Sequence, residues 1–324
     1  MRVNICVESY SMLKYVGCSS AAMMLYEGLK ETQGVEVELN SRDHDHDIYH
    51  CHTFGPRVNI DRIRSKGVTI LTAHSTPRLN IGNLAAAGLI NLLYPPIYRR
   101  FDHMITITKP STLELQEMLP GMPMTQIPNC IDMKKFAPSA EKRREFREFL
   151  GVDDDAKVIL TVAQQTPRKG IFDFLWLAKR MPEYTFVWVG GYAYGKFSTK
   201  HKQIDVEKAK AGDNVIFTGF VPDITGVYCG ADLLFVPSYG EIMSVVVLEG
   251  LASGVPVISR DLPEFRDVFD GIAGFFSDID GAESLIRNEE VWRRAASTSR
   301  ESVEKFNLKN VAQMHADLYA ELLA

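Results

Sequence analysis

Residues 237–265 read PSYGEIMSVVVLEGLASGVPVISRDLPEF, and the apolar run DLLFVP (232–237) leads into them. A strand ends there in a turn carrying Glu241, and a helix is expected to start near Ser244. PVIS (256–259) then returns as the next strand. This is one strand–helix–strand repeat of a parallel sheet. Backbone N–H groups at such a helix start have no partner within the helix and can receive a phosphate group. Glu249 follows within the helix, and the small Gly250, Ala252, Ser253 and Gly254 allow close packing. Two carboxylates so placed could grip two parts of an extended polyol. A surface turn followed by an amphipathic helix with incidental acids fits the same residues equally well.

Working outward, KVILTVAQ (157–164), YTFVWVGG (184–191), NVIFTG (214–219) and AGFFS (273–277) extend the series. These near-continuous apolar runs are expected of parallel strands covered on both faces by helices. An earlier series comprises VNICVES (3–9), VEVEL (35–39), DIYHCH (47–52), GVTILTAH (67–74) and HMITIT (103–108). Between its first two strands lies SSAAMMLYEGLKET (19–32), a helical pattern that follows a Gly-Cys-Ser-Ser turn (17–20) that can cap it. The expectation is an α/β chain of two Rossmann-like doubly wound domains facing a central cleft, with ligands beyond the carboxyl ends of strands. The expected division is 1–137, 138–305 and a C-terminal helix, 306–324, returning to the first domain.

Composition narrows the function. The chain has 324 residues, 46% hydrophobic and 24% charged, and so is a folded globular protein long enough for two domains. A net charge of −5 argues against general affinity for nucleic acid. The five cysteines have no paired spacing, which fits a reducing compartment without a disulfide framework. The apolar run in MRVNICVESY is too short for a signal sequence. From Leu79 to Tyr98 no residue is charged, yet three Asn, two Gly and Pro95-Pro96 argue against a spanning helix. With Arg99 and Arg100 beyond, an interfacial helix or a buried interdomain helix remain the two readings.

DHDHDIYHCH (43–52) invites a metal reading. Strand alternation, however, puts His50 and His52 on one face and Tyr49 and Cys51 on the other, while His44 and His46 precede the strand. Asp43, Asp45 and Asp47 read better as a solvated turn, and no metal site is expected.

Glu241 and Glu249 form an E-x7-E pattern that resembles glycosyltransferase family 4, whose members are retaining enzymes of GT-B fold. IPNCIDMKKFAP (127–138), VAQQTPRKG (162–170), NVIFTGFVPD, GLASGVPVI and FNLKNVAQMHADLYAELL resemble further family segments. YHCHTFGPR, RKGIFDFLWLA, FVWVGGYAYGK and PSYGEIMSVVVLEG are similar to short bacterial enzymes that add a second hexose to monoglucosyldiacylglycerol. The resemblance implies a UDP-hexose donor, a glycolipid acceptor at the cytoplasmic membrane face and no required metal. It implies that Lys169 pairs with the donor diphosphate, Glu249 with the ribose, and Glu241 with the hexose 3- and 4-hydroxyls. Gly17, Cys18, Gly191, Val221, Met243, Ser244 and Val245 are expected around the donor. Gln164 stands where the family usually has arginine, and Arg168 or a backbone amide is the expected substitute. His74 is expected near the anomeric centre, although a strand-end histidine satisfied by backbone is its plain alternative. His52, Thr53, Phe54 and Arg78 are acceptor-side candidates. Competing functions are transfer to a soluble sugar or glycan, UDP-sugar epimerisation on the same fold, and metal binding.

Overall fold

The computed structural model describes residues 1–8, 17–80, 88, 91–192, 195 and 198–324. The described chain divides into two units, Met1–Asp132 with Lys305–Ala324, and Met133–Glu304. Each is built on a six-stranded sheet in which every strand pair is parallel.

In the first unit the strands are β1 (Arg2–Cys6), β2 (Glu36–Leu39), β3 (Ile48–Cys51), β4 (Val68–Thr72), β5 (His103–Thr106) and β6 (Met124–Gln126), ordered β2-β1-β3-β4-β5-β6. In the second they are β7 (Val158–Val162), β8 (Thr185–Val189), β9 (Val215–Gly219), β10 (Leu233–Val236), β11 (Val257–Arg260) and β12 (Gly274–Phe276), ordered β12-β11-β10-β7-β8-β9. The order reverses between β1 and β3 in one sheet and between β7 and β10 in the other. Loops leaving the two strands at such a reversal diverge, which opens a crevice at the carboxyl edge of the sheet.

Central strands are apolar on both faces because helices cover both. All four residues of β3 and of β10 are buried. In the second unit the Trp188 ring meets Phe174 edge-on at 5.0 Å, and its indole N–H donates to the Ala163 carbonyl at 2.9 Å, so its polar atom is satisfied inside the core. In the first unit helix α1 (Gly17–Lys30) buries Ala21, Ala22, Leu25 and Leu29, one stripe at helical spacing. Gly17 to Ser20, expected as a turn before it, lie within the described helix instead. The C-terminal helix, Leu308–Leu323, joins this unit and lies against α1, and Ile131 exchanges backbone hydrogen bonds with the chain around Asn307.

Sequence reading and structure differ at several edges. β4 stops at Thr72, so His74 lies in the following loop, and His52 falls just beyond β3. β6 was not expected: three half-exposed residues after a proline carry no strand pattern, and pairing to β5 makes the strand. Residues 81–87, 89 and 90 of the apolar stretch, and 193, 194 and 196 of the GGYAYGK segment with 197 beyond it, lie outside the described residues.

A Cβ placed on Gly28 would lie 2.9 Å from both Ala312 and Leu308, whereas one on Gly17 would meet nothing within 4 Å among the described residues. Gly28→Val should therefore cost about 1–3 kcal/mol by overpacking the α1–C-terminal helix contact. Gly17→Ala should not lower stability. Urea unfolding checks both, and an unchanged midpoint for Gly28→Val would refute the close contact.

Candidate active site

In the second unit the chain leaves β7 and turns through a short 3-10 segment, Pro167–Lys169, capped by Thr166. Gly170 follows with φ +76, and a Cβ there would lie 2.3 Å from the Pro237 carbonyl oxygen. Only glycine lets the loop after β7 lie directly on the loop after β10. The contact is reinforced on both sides: the Arg168 guanidinium donates to the Gly240 carbonyl at 2.7 Å, and the Tyr239 amide donates to the Arg168 carbonyl at 2.7 Å. Tyr239 donates to Asp173 at 2.7 Å, beneath the Arg260 guanidinium, which stacks 3.9 Å from its ring centre.

This packing delivers the Lys169 ammonium onto the Glu241 carboxylate, with Arg168 3.8 Å from the same oxygen. Burial pulls the Lys169 ammonium below its ordinary value. Burial alone would push Glu241 up, but the charges of Lys169 and Arg168 outweigh it and hold the carboxyl below its ordinary value. The cluster thus has two cations for one anion. Gln164 is half-buried, and its side chain makes no hydrogen bond among the described residues. Its neighbour Gln165 does the structural tying, donating to the Gly190 carbonyl and accepting from Lys208, each at 2.9 Å. Gly191 packs against Phe220, the residue before Val221, at the ends of β8 and β9.

Helix Val245–Ala252 starts as expected, with Ser244 at its N-cap and Met243, Ser244 and Val245 buried. The first amide hydrogen-bonded back into this turn is that of Val247. The helix lies close on its sheet, because a Cβ on Gly250 would sit 2.6 Å from Leu234. Glu249 is buried and accepts a 2.5 Å hydrogen bond from the Tyr228 hydroxyl. Burial pushes its carboxyl up to about 7, against the opposing effects of Tyr228 and the Lys135 charge. Tyr228 was not singled out from sequence. It reads as one apolar residue in the buried helix Ile224–Gly230, and only the fold shows its hydroxyl at Glu249.

In the first unit the candidates gather at the carboxyl ends of β1, β3 and β4. His52 Nδ1 lies 2.9 Å from His74 Nε2, so these two expectations meet. The His74 loop is tied down by Tyr94, whose hydroxyl donates to Ser75 Oγ at 3.0 Å, and Tyr98, which donates to the Ser75 carbonyl at 3.2 Å. Thr53 Oγ1 accepts from the Glu8 amide at 2.9 Å, and Phe54 packs edge-on against Tyr94 and Tyr98. Both therefore have structural partners. Arg78 is exposed. Gly17 and Cys18 open α1, Gly17 exposed and Cys18 half-buried, with its thiol pushed up by burial. Glu8 also escaped the sequence reading. It is 3% exposed, accepts from the Val58 amide at the start of helix α2 (Pro56–Arg64), and its Oε2 has no partner among the described residues.

The three aspartates of DHDHD are exposed, as expected of a solvated turn, and each also has a partner. Asp43 takes the Arg2 guanidinium at 2.8 Å, Asp47 takes the Arg2 amide at 2.7 Å, and Asp45 pairs with Lys66 at 3.2 Å. Among the described residues no three His, Cys, Asp or Glu side chains converge as a metal site.

The family model for glycosyl transferases group 1 matches residues 142–289, which include every second-unit group just described except Lys135. The Acholeplasma laidlawii processive diacylglycerol alpha-glucosyltransferase is 32% identical over 277 residues, covering 82% of this chain and 81% of its own. The chain belongs to the group 1 glycosyltransferases. It is a glycosyltransferase of the family 4 type with the GT-B architecture of two Rossmann-like domains. The Streptococcus pneumoniae alpha-galactosylglucosyldiacylglycerol synthase is 28% identical over 236 residues, covering 69% of this chain and 63% of its own. Among solved structures, the Thermosynechococcus elongatus sucrose-phosphate synthase superposes with a TM-score of 0.82 at 17% identity, over 99% of this chain and 98% of its own. The Anabaena protein Alr3699/HepE, solved with UDP-glucose, gives 0.81 at 16%, over 99% of this chain and 100% of its own. Those two likenesses concern the fold.

Glu249 gives a stability test that needs no substrate. Below an ordinary carboxyl value of 4.5 the group is protonated in both folded and unfolded glycosyltransferase, and above about 7 it is ionised in both. Between the two the folded state holds the extra proton, so stability falls as pH rises through that window. The loss should reach about 1–3 kcal/mol. Glu249→Gln removes it. Unfolding midpoints should therefore show the variant gaining on the wild type between pH 4.5 and about 7, and parallel curves would overturn the buried carboxyl.

Proposed function

We propose that this glycosyltransferase moves a hexose from a UDP-sugar to a monohexosyl-diacylglycerol type glycolipid, giving an α-glycoside with retention. The observation that carries the reading is the Lys169–Glu241–Arg168 cluster at the β7/β10 reversal, in a chain related to two enzymes named for diacylglycerol glycosides. Lys169 and Arg168 are two half-buried cations where a diphosphate needs charge to be offset as the nucleotide leaves. Arg168 supplies the positive charge that Gln164 lacks. The first amides of helix Val245–Ala252 add donors to the same group. Glu241, once it shares Lys169 with the diphosphate, accepts from hexose hydroxyls, and Glu249 accepts from the ribose. His74 serves the reacting end from the first unit. No carboxylate is assigned as a covalent nucleophile, so the sugar leaves and is captured on one face, the leaving phosphate taking the proton of the acceptor hydroxyl. The scheme uses no metal.

The acceptor side supports a lipid. Ile60, Ile63, Leu92 and Leu93 are exposed, and so are Arg64, Arg99 and Arg100. Arg62 donates to the Arg100 carbonyl at 2.9 Å, which sets α2 beside residues 92–100. Exposed apolar side chains with a basic fringe suit the surface of an anionic bilayer. Among the described residues no helix is long and apolar enough to cross a membrane. The proposed location is peripheral, on the cytoplasmic membrane face.

The protein incubated with UDP-glucose or UDP-galactose and vesicles of monohexosyl-diacylglycerol should yield a dihexosyl lipid by mass spectrometry, with the new bond α by NMR. Product only on soluble sugars, or an epimerised UDP-sugar without glycoside, would sink the lipid reading. Glu241→Ala should lower kcat/KM at least about 100-fold. Flotation should carry the protein with anionic vesicles, and Ile63→Glu with Leu92→Glu should leave it behind. Equal flotation of that variant would remove the surface from the proposal.

A further inference from the structure

His50, His52, His74 and His315 line up inside the first unit, although they come from β3, the loops after β3 and β4, and the C-terminal helix. Ring centres are 5.6 Å apart for His315 and His50, 4.5 Å for His50 and His52, and 5.2 Å for His52 and His74. Successive rings are inclined by 28°, 34° and 26°, and no three such groups converge as a metal site among the described residues. Burial holds each of the four below its ordinary histidine value, and they are neutral imidazoles.

A neutral imidazole carries one proton, so each hydrogen bond constrains the next. His315 Nδ1 lies 2.8 Å from the Val311 carbonyl, which only accepts, so His315 donates from Nδ1. His50 is occupied at both nitrogens, with Tyr319 Oη at 2.7 Å and Thr72 Oγ1 at 2.6 Å. It has nothing left for His52. The 2.9 Å contact between His52 Nδ1 and His74 Nε2 therefore has two possible proton placements. If His74 donated from Nε2, neutral His52 would carry its proton on Nε2, which is buried and has no partner among the described residues. A buried N–H without an acceptor is the rarer and costlier defect. If His52 donates from Nδ1, only a bare lone pair is left there.

We infer that His52 is a positioning residue that donates from Nδ1 to His74 Nε2, so that His74 presents Nδ1–H as a hydrogen-bond donor. The inference deepens the proposed function and rests on His74 serving the reaction. A Nδ1–H points the residue's chemistry one way: it donates to an oxygen of the phosphate or sugar and takes no proton from the acceptor hydroxyl at that nitrogen. The acceptor proton then goes to the leaving phosphate. The C-terminal helix enters the site through Tyr319 and His315, which keep His50 engaged and His52 without a second partner.

The test uses full-length protein labelled with 15N-histidine. Long-range 1H–15N spectra, assigned by single His→Gln variants, should show His74 protonated at Nδ1 and bare at Nε2. The opposite tautomer overturns the inference. His52→Asn keeps an amide donor near the place of Nδ1. It should keep the His74 tautomer and hold kcat within about tenfold. His52→Asp offers only acceptors, so it should move the His74 proton to Nε2 and lower kcat about 100-fold or more with the UDP-sugar KM little changed. A His52→Asp variant that keeps the Nδ1–H tautomer, or a His52→Asn variant as impaired as His52→Asp, refutes the positioning role. Should the His52→Asp variant fail to fold, the spectra of the wild type and of His52→Asn still decide. Full turnover by His74→Ala would instead remove His74 from the reaction, while the spectra judge the hydrogen bond independently.

Discussion

Lys169 and Glu241 meet because Gly170 lets the chain after β7 rest on the Pro237 carbonyl at the end of β10. Any side chain at Gly170 would need that oxygen to move, and the left-handed backbone there disfavours one in any case. The rest of the second-unit site follows from this contact. Arg168 reaches Gly240 because its loop is already pressed down, and Tyr239 is fixed between the Arg168 carbonyl, Asp173 and Arg260. A buried ion pair is poor evidence of stability, since desolvation cancels much of its attraction. Its worth here lies in holding two long, flexible side chains in one geometry before a donor arrives.

The first unit solves the same problem with neutral groups. Its reversal point lies between β1 and β3, and Glu8, His52 and His74 emerge from adjacent strand ends there. Glu8 anchors the start of α2, Tyr94 and Tyr98 anchor the loop of His74, and the C-terminal helix supplies the far end of the imidazole row. The last residues of the chain are thereby coupled to the loop after β4, through contacts between side chains hundreds of positions apart.

How much of this was legible follows the range of each interaction. Parallel sheets with buried strands were readable because the strands of the second unit, β7 and β10 among them, are near-continuous apolar runs, a property of consecutive residues. Glu241 and Lys169 stood out because the short segments that carry them, the E-x7-E pattern and RKG, resemble segments of a known family. Tyr228 was invisible beside Glu249, since nothing in DITGVYCG distinguishes a tyrosine that packs from one that donates. Glu8 looked like the polar end of a strand, and its burial depends on Gly55 and the start of α2. His315 sits on the buried stripe of an amphipathic helix, where a histidine gives no sign of which distant ring it will stack on. The aspartates of DHDHD are solvated, as read, but their partners Arg2 and Lys66 come from elsewhere in the chain and could not be read locally.

The two groups of residues differ most in how they hold charge. In the second unit two half-buried cations gather around a single half-buried carboxylate, so an anionic ligand meets charges that are already partly shielded from water. Such a ligand need only share Lys169 with Glu241, and that sharing frees the carboxylate to accept hydroxyls of the attached sugar. Recognition of the phosphate and recognition of the sugar are then one exchange of partners at Lys169. In the first unit the imidazoles are kept from charging at all, by burial and by one another. A permanent cation at His74 would attract phosphate in the ground state as strongly as in the transition state and so would add binding without rate. A neutral, oriented donor is strengthened as charge grows on the oxygen it faces, which is the property a reacting centre requires.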